Sequence, residues 1–360
     1  MPLPPPDPFL RLKARGADTN RTGRFEPYSR EVTSDGWDIP EEERLLRTEV
    51  VTETPRSIIA RNSSPDVPFD RSINPYRGCE HGCCYCFARP SHAYLGFSPG
   101  LDFETRLVCK PDAAARLREE LARPGYRCAP IALGVNTDAW QPIERRLGVT
   151  RSILEVLAET RHPVSIVTKG VLIERDLDLL AELAADGLAE VMISVTTLDK
   201  ALARKMEPRA PTPERRLEMI GRLQAAGVPV GVLMAPLIPA LNDHELERVL
   251  EAASAAGAQK AGYVLLRLPH ELRALFADWL ESHYPQRSAR ILNRLRELRG
   301  GELNNTEFGT RMRGEGIFAD LYAQRFRNCV RRLGLNPGRG KLDCSRFAPP
   351  RPNTTQMELF

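Results

Sequence analysis

The chain has 360 residues, 42% of them hydrophobic, and 51 Lys and Arg against 47 Asp and Glu give it a net charge of +4. That length suits either two domains or one α/β barrel, and apolar runs broken by Pro and polar residues exclude a membrane span. Met1-Pro2-Leu3-Pro4-Pro5-Pro6-Asp7 lacks a basic region followed by an apolar one, so no secretory signal is expected. Eight cysteines, three of them clustered, point to a reducing compartment, the cytoplasm, rather than a disulfide framework.

Residues 1–51 are rich in Pro, Arg, Glu, Asp and Gly without a sustained period, and read as a disordered or loosely attached arm, basic from Arg11 to Arg24. From Thr52 to Asn74 the chain reads as extended, ending in Arg71-Ser72-Ile73-Asn74-Pro75-Tyr76 as a first barrel strand. Cys79-Glu80-His81-Gly82-Cys83-Cys84-Tyr85-Cys86 follows directly, with thiols at i, i+4 and i+7 and an aromatic residue before the last. Three thiolates on one short loop are soft ligands suited to iron and sulfide, and a cubane held by three cysteines leaves one iron open. The alternatives are a set of buried free cysteines and structural zinc, which needs a fourth ligand from His81 or Cys84 and usually pairs two Cys-x-x-Cys clips; no second clip follows. Cys84, adjacent to Cys83, reads as packing beneath the loop.

Beyond the loop, β-rich apolar runs alternate with helical periods, the pattern of repeated βα units building a parallel sheet. Strands are expected at 130–135, 163–168, 189–195, 229–235 and 262–268, six with the first. The intervening helices carry apolar residues such as Ile153, Leu154 and Leu157, then Leu177, Leu180 and Leu183, then Leu217, Ile220 and Leu223. Gly187, Gly227 and Gly257 are placed to cap three of them. The barrel is thus assigned to residues 52–270. Residues 271–346 read as a helical cap, with helices around 272–282, 288–299 and 317–333. Between 287 and 341, thirteen Lys or Arg face five Asp or Glu, a balance of +8. These charges, with Arg287, Arg290 and Arg294 on one helix face, are either solvated surface or a phosphate-contacting surface.

The cysteine loop resembles that of the radical S-adenosylmethionine (SAM) superfamily. The stretches Asn74-Pro75-Tyr76-Arg77-Gly78-Cys79, Cys86-Phe87-Ala88-Arg89-Pro90, Gly134-Val135-Asn136-Thr137-Asp138, Thr168-Lys169, Ser194-Val195-Thr196-Thr197 and Met206-Glu207-Pro208-Arg209-Ala210-Pro211 resemble the spore photoproduct lyase branch, a DNA-repair group. Arg311-Met312-Arg313-Gly314-Glu315-Gly316 is similar to a stretch of an uncharacterised bacterial group of lyase-like radical SAM proteins. The resemblance implies an enzyme with a partial (β/α)6 barrel, a 4Fe-4S cluster on Cys79, Cys83 and Cys86, and reductive cleavage of SAM to a 5′-deoxyadenosyl radical. It places Tyr85 beside the adenine, Lys169 and Ser194 at the SAM carboxylate, and Thr137 at the second strand's mouth. DNA is the implied substrate; RNA, protein or small-molecule substrates, and a non-catalytic iron-sulfur protein, are the alternatives. Lyases of this branch carry a hydrogen-donating cysteine where this chain has Val135, which argues against spore photoproduct itself as substrate; Cys109 and Cys128 are the nearby alternatives.

Residues 347–360 read as a Pro-rich disordered tail. Gln356-Met357-Glu358-Leu359-Phe360 resembles the bacterial sliding-clamp binding pentapeptide, which implies a clamp partner, with Leu359 and Phe360 as apolar anchors and Gln356 as a hydrogen-bonding group. Docking of the same residues on the protein's own surface is the alternative.

Overall fold

The computed structural model describes residues 15–17, 19–27, 47–338 and 340–350. In chain order they form β1 (Glu49–Thr52), β2 (Ala60–Arg61), β3 (Arg71–Ile73), β4 (Tyr76–Arg77), a 3-10 turn (Arg89–Leu95), α1 (Asp102–Thr105), β5 (Arg106–Cys109), α2 (Ala113–Leu121), β6 (Ile131–Leu133), α3 (Glu144–Leu147), α4 (Val149–Glu159) and β7 (Val164–Thr168). There follow α5 (Leu177–Ala185), β8 (Ala189–Ser194), α6 (Lys200–Met206), α7 (Pro213–Ala225), β9 (Val230–Leu237), α8 (Leu246–Ala255), β10 (Lys260–Leu265), α9 (Leu272–His283), α10 (Pro285–Glu297) and α11 (Ile317–Leu333).

The expected parallel sheet is present, in the order β10-β9-β8-β7-β6-β3 with β2 added antiparallel at the β3 edge. Strands buried between helices and a barrel interior read as nearly continuous apolar runs, which is why they were legible. Val164 and Ile166 of β7 share the main core with Ile153, Leu154 and Leu157 of α4 and Leu180 and Leu183 of α5. Gly187 and Gly227 adopt φ of 70° and 78°, the left-handed turns that end α5 and α7. Tyr263 meets Phe326 of α11 with ring centroids 4.8 Å apart, so α11 covers the outer side of β10. A three-stranded sheet, β1-β5-β4, was not expected from the sequence. No described helix is long and apolar enough to cross a membrane.

In both terminal stretches the described residues are ordered, against the expectation from composition. Residues 15–17 and 19–27 do not hang loosely but run from the cysteine loop to α9. Gly16 N and Ala17 N donate to the Glu104 carboxylate at 3.0 and 2.9 Å, and Arg21 grips Asp278 through two bonds of 2.8 and 2.9 Å. At the other end, residues 347–350 are docked: Ala348 N donates to the Thr160 carbonyl at 3.0 Å, and the Phe347 ring lies 5.4 and 5.3 Å from those of Tyr126 and His162. This segment crosses the N-terminal edge of the sheet, where Asp343 N also donates to the Gly187 carbonyl at 3.1 Å. The pentapeptide 356–360 lies outside the described residues. The cap is not separate either, because Phe276 and Trp279 of α9 and Ile291 and Leu295 of α10 share one apolar group with Cys83, Cys84 and Tyr85. Arg299 is buried rather than part of a basic surface; it donates to the carbonyls of Leu266 and Arg311 at 3.1 and 2.8 Å.

Gly16 packs so closely on the loop that a Cβ there would collide with the Gly82 carbonyl. Gly16→Ala is therefore expected to release the arm, accelerating tryptic cleavage at Arg15, Arg21 and Arg24 while the barrel stays folded. Cleavage at the wild-type rate would contradict this packing.

Candidate active site

The cysteine loop begins just after β4 and is folded back by its own backbone. Cys79 N donates to the Phe103 carbonyl at 2.9 Å, and Cys86 N to the Cys83 carbonyl at 3.2 Å. Gly82 has a φ of 68°, and a Cβ there would come within 2.7 Å of Glu104 Oε2, so only glycine fits. Gln141 braces the loop from the β6–α3 segment: its Nε2 donates to the Gly78 carbonyl at 3.1 Å and its Oε1 accepts from Glu80 N at 2.8 Å. Cys79 and Cys83 are buried and Cys86 is half-buried. Cys86 packs both with the group of Cys79, Ala88 and Phe103 and with that of Cys83 and Tyr85, which brings the three thiols to one place.

Burial raises all three thiols, Cys83 to about 12 with Lys169 pulling against it. Thiolates in such a place need a cationic partner, and the donor set fits an iron-sulfur cubane. Of the two fourth ligands that structural zinc could take, Cys84 packs in the apolar group of Leu202 and Met206, and His81 turns its Nδ1 to Asp138 Oδ2 at 3.4 Å.

Strand alternation builds the other half of the site. On β7 the half-buried residues are Ser165 and Val167, a face that Lys169 continues; on β8 they are Glu190 and Met192, a face that Ser194 continues. Thr168 is in register with Ile193, so Lys169 and Ser194 come next to each other, and Lys169 Nζ donates to Ser194 Oγ at 3.0 Å. The same Nζ lies 5.7 Å from the Tyr85 ring centroid. Lys169, Ser194 and Tyr85 are therefore brought together at the C-terminal mouth of the sheet. Thr137 does not join them, since its hydroxyl donates to the Tyr76 carbonyl at 2.7 Å and ties the end of β6 to β4.

Two groups escaped the sequence reading. Asp138 accepts from Thr168 Oγ1, Lys169 N and Trp140 N at 2.6, 2.7 and 2.9 Å. Burial would raise its carboxyl, but His81 and these donors hold it well below the usual carboxylate range. Beneath Tyr85, Glu207 accepts from the Tyr85 hydroxyl, from Thr196 Oγ1 at 2.7 Å, and from the Arg216 guanidinium. Arg216 also donates to the Ser194 carbonyl at 3.0 Å. Asp138 and Glu207 stand inside stretches that carried the family resemblance, which was the available signal; nothing local marked Arg216.

An open parallel sheet with a three-cysteine loop after its first strand and a Lys–Ser pair at its mouth defines an iron-sulfur class of partial barrel. The family described as the Radical SAM superfamily matches residues 73–253, and the chain belongs to that superfamily, whose members use a 4Fe-4S cluster and SAM. A Mycobacterium tuberculosis protein, itself described as uncharacterised, is 42% identical over 234 residues, 64% of this chain and 68% of that one. A Methanocaldococcus jannaschii protein described in the same way is 27% identical over 222 residues, 62% of this chain and 79% of its own. Among solved structures, spore photoproduct lyase complexed with dinucleoside spore photoproduct aligns over 79% of this chain and 80% of its own, with a TM-score of 0.56 and 17% identity. A mutant of that lyase reaches 0.59 at 16% identity over the same shares. At such identities the likeness is one of fold.

Replacing Cys79, Cys83 or Cys86 singly by Ala is expected to abolish both cluster retention and reductive SAM cleavage, whereas Cys84→Ala keeps both. Iron and sulfide counts and 5′-deoxyadenosine release on anaerobic protein read this. A Cys84→Ala protein as empty as the other three would overturn the ligand assignment.

Proposed function

We propose that this chain is a radical SAM enzyme that reductively cleaves SAM to a 5′-deoxyadenosyl radical and acts on DNA, in a repair-related role associated with the sliding clamp. The observation that carries the first part is the meeting of Lys169, Ser194 and Tyr85 beside three cysteine thiols. Cys79, Cys83 and Cys86 would hold the iron. Lys169 Nζ, a compact cation at the strand mouth, would meet the SAM carboxylate, and the Ser194 hydroxyl, already accepting from Lys169, would donate to the same group. The Tyr85 ring, fixed by its hydroxyl on Glu207, would flank the adenine.

The DNA reading is supported by the fold likeness to a lyase solved with a dinucleoside lesion and by charge near the mouth. A cleft of about 380 Å³ opens between the loop after β9 and helices α10 and α11, lined by Arg287, Arg290, Arg294, Arg325 and His244, with the carboxylate of Asp243 held by the Tyr322 hydroxyl at 2.7 Å. Arg294 and Arg325 are tied to Glu297 and Glu247 at 2.7 and 2.6 Å, and Arg287 to the Ala240 carbonyl. Arg290 is exposed beside them. Planar guanidiniums gathered on one concave face suit phosphodiester oxygens. Arg290→Gln with Arg287→Gln is expected to weaken DNA binding uniformly across sequences and to flatten its salt dependence. SAM cleavage should rise when damaged DNA is supplied, measured as 5′-deoxyadenosine. Salt-independent binding, or a cleavage rate indifferent to DNA, would remove this reading.

The clamp association rests on Gln356, Met357, Leu359 and Phe360. The docked segment 343–350 that precedes it runs along the N-terminal edge of the sheet, the side away from the mouth, and a clamp bound to the peptide would raise the local concentration of the chain on DNA. A peptide of residues 352–360 is expected to bind purified bacterial clamp, and to lose binding when Leu359 and Phe360 become Ala. Undetectable binding, or binding indifferent to those changes, would sink the assignment.

A further inference from the structure

The open edge of the sheet holds an arginine that the site described so far does not use. Arg267 lies just past β10, half-buried, with its guanidinium carbon 5.2 Å from the ring centroid of Phe87, the residue after Cys86. Burial and then the like charge of Arg311 act against its protonation, and Asp66, the acid within reach, is already engaged by Arg311. Among the described residues no acceptor takes a hydrogen bond from it. A half-buried guanidinium with Asp66 as its nearby acid but no hydrogen-bonded acceptor keeps its donors available to an anionic ligand. Its surroundings repeat the arrangement: Arg311 lies 4.6 Å over the ring of Phe308, and Phe87 and Phe308 remain 45% and 60% exposed. Two exposed rings, each under a guanidinium, thus stand along the edge that opens beside the cluster cysteines.

We propose that Arg267 and Phe87 form a substrate clamp that takes one nucleotide unit of single-stranded or flipped-out nucleic acid. The phosphate lies on Arg267, with Arg311 adding charge, and the base lies on the face of Phe87. A guanidinium fork matches phosphate oxygens, and an aromatic face accepts any base. This deepens the nucleic-acid reading above and rests on it. The clamp would set a base directly beside Cys86, where the mouth chemistry is delivered, whereas the arginine cleft on α10 and α11 would hold flanking backbone.

The test is fluorescence anisotropy of a labelled single-stranded oligonucleotide with the iron-loaded full chain, anaerobically, between about 50 and 200 mM salt. Arg267→Gln should flatten the slope of log affinity against log salt by about 0.7, one phosphate contact on a single strand. Phe87→Ala should weaken binding about tenfold with the slope unchanged, Phe87→Tyr should restore it, and an abasic oligonucleotide should not sense either change. Iron counts accompany each variant; should Phe87→Ala shed iron, Arg267→Gln, remote in sequence from the cysteines, decides. Wild-type affinity and slope in Arg267→Gln, or Phe87→Tyr binding as weakly as Phe87→Ala, would overturn the clamp. Where the cleft variants weaken binding and these do not, the clamp alone fails. Where the wild type binds no oligonucleotide at the lowest salt, the nucleic-acid reading fails and takes the clamp with it.

Discussion

The ion pair of Glu207 and Arg216 holds the mouth together. Both side chains are almost wholly out of water, and removing one partner of such a pair leaves a buried charge at a cost of about 3–5 kcal/mol. Each partner does more than neutralise the other. Arg216 donates to the carbonyls of Ser194 and Pro211 at 3.0 and 2.9 Å, which fixes the end of β8 against the start of α7. Glu207 accepts from Tyr85 and Thr196, which fixes the cysteine loop against the same strand end. Burial would raise the Glu207 carboxyl, but Arg216 and then Lys169 hold it at about 2, so it is an acceptor at any working pH and the Tyr85 hydroxyl must donate. The ring is thereby locked with its face toward Lys169.

A second buried pair secures the loop from its other side. Arg89 donates to the carbonyls of Cys83 and Gly100, both at 2.8 Å, and pairs with Glu104, whose two oxygens also receive Gly16 N and Ala17 N. The loop is therefore held between two charge pairs, with the N-terminal arm laid across it. Groups fixed by packing and hydrogen bonds before a cofactor binds need no reordering when it does, which is the physical value of spending two buried ion pairs on eight residues.

How far the sequence could be read follows from what each element depends on. The parallel strands and their helices announced themselves because period and cap are local signals, and the cysteine loop because ligand spacing is fixed by the cluster. Lys169 and Ser194 were accessible through strand-end position and family wording. Residues 15–17 and 19–27 read as loose because their composition is polar, while their order comes from one carboxylate, Glu104, that captures the backbone of Gly16 and Ala17, and from a close contact only Gly16 allows. Phe347 was placed in a disordered tail for the same reason: its partners, Tyr126 and His162, are about two hundred residues away in sequence. Arg299 fell in a stretch read as basic surface and Arg216 carried no signal at all, because whether a charge is buried is decided by carbonyls and acids that no local pattern reveals.

The placement of the remaining thiols bears on how this barrel differs from the lyases it resembles. Val135 follows β6 at the position where that branch is expected to carry a hydrogen-donating cysteine, and a hydrocarbon side chain offers no weak S–H bond. Cys109 cannot substitute from where it lies: it pairs with Tyr76 in the small sheet and is packed in the main core, where burial raises its thiol to about 11. Cys128 stands before β6, against Cys344 and Asp343 of the docked C-terminal segment, at the edge of the sheet opposite the mouth. Cys109 is thus committed to the main core and Cys128 to the docked C-terminal segment. The hydroxyl of Tyr85 is engaged by Glu207, so the side chains that frame the mouth are built to hold and orient rather than to give up a hydrogen atom. What this mouth sets beside the paired Lys169 and Ser194 is therefore a valine after β6, with the remaining thiols committed elsewhere in the fold.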